Sequence, residues 1–171
     1  MKNDKALKVI ILIVITAIFV TLAIVFRKDT ETLPKVKESG YDTKMFINID
    51  IKDALELFNQ KNVTSIIFLG RQTCEVCAYQ GPYLQVAIAT YHFNVYHIDI
   101  EKIDYESKEY EEFVKKLDYE YELEDKKGSF GSFMGYTPMI VIIRNGKQVY
   151  GHLGILTDTE IYELALTYGV I

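Results

Sequence analysis

The longest apolar run in the chain covers residues 9–26, where only Thr16 and Thr21 interrupt aliphatic and aromatic side chains. As a helix, its 18 residues rise about 27 Å, close to the roughly 30 Å hydrocarbon core of a bilayer. Lys2, Lys5 and Lys8 precede it and Arg27 and Lys28 follow, so it reads as one transmembrane helix behind a short tail, residues 1–8. The alternative is a cleaved signal peptide. Thr21-Leu22-Ala23 imitates a small-x-small cleavage site, yet Ile24-Val25-Phe26 follows at once where a polar region is expected. Basic residues nearly balance across the span, since Lys35 and Lys37 add to its C-terminal side. The short tail then points to an N-inside topology with the main domain outside the cytoplasm.

Beyond the span, residues 27–43 are polar, contain Pro34 and Gly40, show no apolar period and read as a linker. A short strand is expected at 45–49. Asp50 then caps a helix over 51–59, with Ala54, Leu55 and Phe58 at helical spacing. Residues 64–69 are continuously apolar and partly β-branched, as in a strand buried on both faces. A helix over 76–90 and a second central strand over 93–98 follow. Tyr110, Phe113, Val114 and Leu117 form one stripe of a helix inside a charge-dense region, an acidic insertion around 104–130. Residues 128–135, with three glycines in eight positions, read as loop. A strand at 139–143, the turn Asn145-Gly146 and a partner strand at 147–153 make a hairpin. Thr157 or Asp158 caps a last helix that Gly169 closes. This order predicts an α/β domain at 44–171, with a central mixed sheet flanked by helices.

Composition narrows the class. With 171 residues, 49% of them hydrophobic, the chain can build a core without disulfide staples. Removing Lys2, Asp4, Lys5, Lys8, Arg27 and Lys28 from 19 basic and 24 acidic residues leaves 14 against 23, a net −9. A domain that acidic, with no basic stripe, is not a nucleic-acid binder.

The chemistry concentrates at Cys74-Glu75-Val76-Cys77, which holds the chain's two cysteines between the buried strand and the helix. Two thiols at this spacing can close a small disulfide ring. The first sits where free backbone N–H groups and the helix dipole favour a thiolate. A zinc half-site completed by His92 or His97 is one alternative, though nothing in their spacing resembles a ligand set. A pair of inert buried thiols is another. His92, His97 and His152 read as surface or strand residues, and no metal is expected. Tyr105, Tyr110, Tyr119 and Tyr121 read as amphipathic tyrosines of a solvated region, with a partner surface as the alternative.

Taken together, residues 44–170 resemble the thioredoxin-like family. The marks are the Cys-x-x-Cys after a buried strand, Pro82 five residues past Cys77, Thr137-Pro138 where the family has its cis-proline, Asn145-Gly146, and Gly154. The anchor, the Gly70-Arg71-Gln72-Thr73 approach and the acidic insertion make the chain most similar to the bacteriocin transport accessory protein group of Gram-positive bacteria. The resemblance implies that Cys74 is the nucleophile and Cys77 the resolving thiol. It assigns Thr137 and Pro138 to pairing with an extended substrate strand, and Arg71, Glu75, Val76 and Pro82 to modulating the centre. It implies no cofactor. Partners are protein or peptide thiols and disulfides and a redox partner of unknown identity. The expected protein is a single-pass thiol–disulfide oxidoreductase of the cell membrane, acting on exported proteins. The alternative is a non-catalytic thioredoxin-like module that binds peptides or export machinery.

Three departures stand out. Glu75 sets a negative charge beside the nucleophile and disfavours its thiolate, which makes the couple more reducing unless Arg71 folds over it. Thr73 replaces an aromatic residue. Phe68 replaces the family's buried aspartate, so the proton of the resolving thiol must leave by water, Glu75 or another group.

Overall fold

The computed structural model describes residues 40–171. The predicted span at 9–26 and the linker up to residue 39 lie outside the described residues. Among the described residues no helix is long and apolar enough to cross a membrane.

The elements are β1 (Ile47–Asn48), α1 (Ile51–Leu57), β2 (Thr64–Gly70), α2 (Glu75–Tyr91), β3 (Val95–Asp99), α3 (Lys108–Lys116), β4 (Glu120–Leu123), β5 (Lys126–Ser129), β6 (Met139–Arg144), β7 (Lys147–Leu153) and α4 (Asp158–Tyr168). Five strands form one sheet in the order β1-β3-β2-β6-β7, and β4 pairs only with β5. β1, β3 and β2 run parallel, whereas β6 and β7 run antiparallel to their neighbours. The sheet is mixed, as expected.

Period-two alternation along β2 divides the core. Ile66 and Phe68 face the side of α2 and α4, with Leu84, Ala87, Ile161 and Ala165. Ile67 and Leu69 face the other side, with Ala54 of α1 and Phe113 of α3. Because both faces are covered, β2 is buried from Ser65 to Gly70 and reads in the sequence as one apolar run. Capping boxes start two helices, Asp50 with Asp53 at α1 and Thr157 with Glu160 at α4. The β6–β7 turn has both Asn145 (φ +53°) and Gly146 (φ +75°) in the left-handed region, as a two-residue hairpin turn of the I′ kind requires.

Three places differ from the sequence expectation. Tyr41, inside the stretch read as linker, is 7% exposed and belongs to the core, so the packed unit starts ahead of residue 44. The first strand shrinks to two residues because residues 43–46 form a turn, with the Phe46 N–H donating to the Thr43 carbonyl at 3.0 Å. The insertion is not only helix and loop: β4 and β5 form a hairpin in register from Glu120↔Ser129 to Leu123↔Lys126. The glycine-rich stretch after it holds a 3-10 turn, Phe130–Phe133, with both phenylalanines buried. Gly131 lets that turn pass so close to α3 that a Cβ would overlap the Val114 carbonyl. The insertion also lies along β7. Gln148 accepts the Tyr119 N–H at 3.3 Å and donates to the Tyr150 carbonyl at 3.2 Å, while Leu153 N–H donates to the Tyr121 hydroxyl at 3.2 Å.

Candidate active site

β2 delivers the chain to Gly70, and Arg71-Gln72-Thr73 turn it into α2. Cys74 is the N-cap of that helix, with extended backbone (φ −90°, ψ 113°). Its sulfur takes the place of a capping oxygen, accepting the Cys77 N–H at 3.1 Å. Orphan N–H groups of the first turn and the positive end of the helix dipole converge at this position. The two cysteines are unbridged. Cys77 is wholly buried and Cys74 is 8% exposed. Burial pushes the Cys77 thiol well above the usual thiol range, and its hydrogen bond with Cys74 adds to this.

Facing the pair, the Thr137–Pro138 peptide bond is cis. The Cys74 thiol donates to the Thr137 carbonyl at 3.5 Å, and the Gly154 N–H donates to the Pro138 carbonyl at 3.0 Å. Two segments far apart in sequence thus meet at the Cys74 sulfur, and the Gly154 turn bonds the second of them. Around it, Arg71, Glu75 and Val76 are exposed, as are Tyr136 and Ile155 beside the proline loop. Arg71 does not fold into a buried contact over the pair. Thr73 donates to Glu101 at 2.5 Å. Pro82 lies within α2, half-buried, where it offers no N–H to the Ala78 carbonyl.

Phe68 is wholly buried behind the thiols, its ring centroid 5.2 Å from that of Tyr41, 5.7 Å from Phe46 and 5.4 Å from His97. Sequence reasoning missed the groups beside it. Tyr41 fits between Gly70 and Gly81: a Cβ at Gly81 would lie 2.6 Å from Tyr41 Cβ, and one at Gly70 would lie 2.5 Å from its hydroxyl. Its main chain is clasped by one side chain, since Gln72 accepts the Tyr41 N–H at 3.1 Å and donates to the Tyr41 carbonyl at 3.2 Å. The Tyr41 hydroxyl lies 2.7 Å from His97 Nε2, and His97 Nδ1 lies 2.8 Å from Asn48 Oδ1. Burial holds His97 down at about 4, with Asp99 opposing and Lys102 assisting. A glycine in mid-helix next to a proline, Gly81-Pro82, was the one sequence signal of a close approach there.

His92 caps the end of α2 at the surface and His152 lies in β7, so the histidines do not gather at the cysteines. Among the described residues no group of three or more His, Cys, Asp or Glu side chains converges as a metal site would. A cleft of about 580 Å³ opens beside Asn48, His97 and Asp99 rather than at Cys74.

No family model matches the chain, and no curated protein does. Solved thioredoxins do. The reduced thioredoxin pre-protein of Schistosoma mansoni superposes with a TM-score of 0.50 at 16% identity, over 73% of this chain and 99% of that one. Chloroplastic thioredoxin z gives 0.50 at 16% identity, over 75% and 98%. At such identities the likeness is one of fold: the chain has the thioredoxin-like fold, with its Cys-x-x-Cys pair at the start of α2.

Proposed function

We propose that the protein is a membrane-anchored thiol–disulfide oxidoreductase that exchanges disulfides in exported proteins. The observation that carries this reading is the setting of Cys74. Its sulfur accepts the Cys77 N–H at 3.1 Å and lies 3.5 Å from the carbonyl of Thr137, next to Pro138. The Cys74 thiolate attacks one sulfur of a substrate disulfide. That S–S bond breaks, a mixed disulfide forms and the other substrate sulfur leaves as a thiolate. Cys77 gives up its proton and attacks Cys74 Sγ, so the mixed disulfide breaks and the second substrate thiolate departs. The protein is left oxidised by two electrons, which a dithiol redox partner restores. Run backwards, the same steps oxidise a substrate dithiol.

Thr137 offers main-chain groups to an extended substrate segment, while Pro138 has no N–H to compete for them. Val76, Tyr136 and Ile155 supply an exposed apolar rim at the same place. Glu75, exposed in the first turn of α2, biases the couple toward reduction. A reduction potential near about −270 mV supports that direction, and one near about −120 mV reverses it. A Cys74→Ser variant that turns over a test disulfide as fast as the wild type refutes the exchange reading.

The anchor rests on the apolar run at 9–26 and its basic flanks. With the insertion and the Gly70–Thr73 approach, it supports kinship with the bacteriocin transport accessory group and a domain outside the cytoplasm. Protease added to intact cells then digests the domain; protection reverses the topology. The exposed apolar rim also favours a second reading, a binding module for peptides or export machinery. Under that reading a Cys74→Ser/Cys77→Ser double variant keeps full biological function.

A further inference from the structure

β5 of the insertion runs through the Phe130–Phe133 turn into Met134-Gly135-Tyr136 and so into the Thr137–Pro138 bond. Aromatic contacts brace that path. Tyr121 of β4 stands edge-on to Phe133, ring centroids 5.5 Å apart, and Phe133 stands edge-on to Tyr136 at 6.1 Å. The hairpin turn Glu124-Asp125 has Glu124 in the left-handed region (φ +53°), and Lys126 follows it. The Lys126 ammonium lies 3.5 Å from the Tyr136 hydroxyl. Tyr136 is the residue before Thr137, whose carbonyl lies 3.5 Å from Cys74 Sγ. A side chain of the insertion thus reaches the loop that faces the dithiol.

Between hairpin and loop is a cleft of about 430 Å³, lined by Asp125, Lys126, Lys127, Ser132, Phe133 and Tyr136. Its cations differ. Lys127 is paired with Glu120 at 3.2 Å, while among the described residues no carboxylate pairs with Lys126. Asp125 lines the cleft too, yet it is the Lys126 ammonium that reaches the proline loop. An ammonium carries three donors, and Tyr136 can take only one of them. The wall beside it is aromatic, with Phe133 buried and the Tyr136 ring 47% exposed. Cation, ring and cleft all adjoin the Thr137 main chain, where an extended segment would pair.

We propose that the β4–β5 hairpin is the substrate-selecting arm of the site, favouring an extended polypeptide with a carboxylate side chain a few residues from its reactive cysteine. This rests on the dithiol-exchange reading above and names the substrate class it serves. The segment pairs with the Thr137 main chain and its cysteine meets Cys74. Its carboxylate enters the cleft and accepts from Lys126, while neighbouring apolar atoms lie on Tyr136. An extended segment passes the cleft on one flank of its cysteine, so the preference is one-sided. Charge at such a rim acts on encounter more than on the chemical step.

The test uses the full chain in detergent, reduced, and short peptides whose single cysteine is capped as a thiopyridyl disulfide. Cys74 attacks the peptide sulfur, the S–S bond breaks, and thiopyridone leaves and is followed by its absorbance. Each peptide carries glutamate or lysine on one flank, about three residues (roughly 10 Å of extended chain) from the cysteine; a glutamine peptide is the neutral reference. On one flank the glutamate peptide is expected to react about fivefold faster than its lysine counterpart at low salt, a ratio that falls as salt is raised. Lys126→Gln removes the preference and Lys126→Glu reverses it. Lys61→Gln deletes a charge ahead of β2, at the end of that strand away from Cys74, and keeps the wild-type ratio. Both lysines are exposed, so the fold tolerates these changes. Equal ratios in wild type and Lys126→Gln overturn the proposal, and a shifted oligomeric state in that variant would then give the cleft to a second copy of the chain. A preference of the same size on both flanks overturns it as well. If the glutamine peptide releases thiopyridone no faster with wild type than with Cys74→Ser, the exchange reading falls, and this proposal with it.

Discussion

His97 shows at the scale of one residue how a buried polar group sets a condition on the fold. The ring is 3% exposed with both nitrogens bonded, and burial lowers it from 6.5 to about 4. The unfolded chain takes up a proton below about pH 6.5 and the folded one only near 4. His97 therefore contributes stability that is complete above 6.5 and is lost as pH falls through that window, of order 3 kcal/mol in all. Urea unfolding at a series of pH values measures it, and subtracting the same series for His97→Gln removes the contributions of Glu111 and Glu160. If the two series run parallel, His97 is not the group responsible. Gly81 imposes a steric condition. A methyl there meets Tyr41 Cβ at 2.6 Å. Overpacking of that kind costs about 1–3 kcal/mol, against roughly 1 kcal/mol of helix propensity returned. Gly81→Ala is thus expected to lower the urea midpoint, although the same change in an ordinary helix raises it. Neither condition is written locally: the partner of His97 lies 56 positions away.

Elements differ in how plainly the chain announces them, and the reason is what each one buries. β2 is covered on both faces and appears as an unbroken apolar run; β6 and β7 carry the Asn-Gly turn that fixes their pairing. The dithiol site was legible for the same reason, since Cys74, Cys77, Thr137 and Pro138 all sit at the ends of such elements. The β4–β5 hairpin was not. Tyr121 and Leu123 alternate with exposed Glu120 and Glu122, but Lys126-Lys127-Gly128-Ser129 presents no apolar side chain at all. Its strand pairs with β4 alone and holds no place in the main sheet. The insertion is held by Phe113, Leu117 and Phe130 buried in the core, and its hairpin is tied to the outer edge of β7 by side-chain hydrogen bonds with buried Gln148 at the centre. Gln148→Ala strips the Tyr119 N–H and the Tyr150 carbonyl of their partner at once, at an expected cost of about 2 kcal/mol. It also uncovers a strand edge that can pair with another chain. Hydrogen exchange should quicken over 118–129 while β2 and β3 keep their protection. Uniform loss of protection would mean that the hairpin is integral to the main core.

At the scale of the whole molecule, the residue where the linker was expected to run into the domain turns out to be a wall of the site. Tyr41 lies in Gly40-Tyr41-Asp42-Thr43, a polar stretch with no apolar period, and a lone aromatic there gives no sign of burial. Yet its ring packs on Phe46, Phe68 and His97, and its backbone is clasped by Gln72, two residues ahead of Cys74. The segment that leads toward the predicted anchor is therefore part of the dithiol centre itself. A chain beginning at Gly40 keeps this wall, whereas one beginning at Lys44, the boundary suggested by the sequence, leaves a gap behind Cys77 and His97 Nε2 without its Tyr41 partner. Deleting a buried aromatic ring costs about 3–5 kcal/mol, so the shorter chain should unfold at a markedly lower urea concentration. Its wholly buried Cys77 should also become open to alkylation in the folded state. Adding a free peptide that spans residues 38–43 should reverse part of both effects if the Tyr41 pocket survives the cut. Equal stability and equal Cys77 protection in the two chains would show that Tyr41 only rests on the domain, and would detach the anchor-proximal segment from the chemistry of the site.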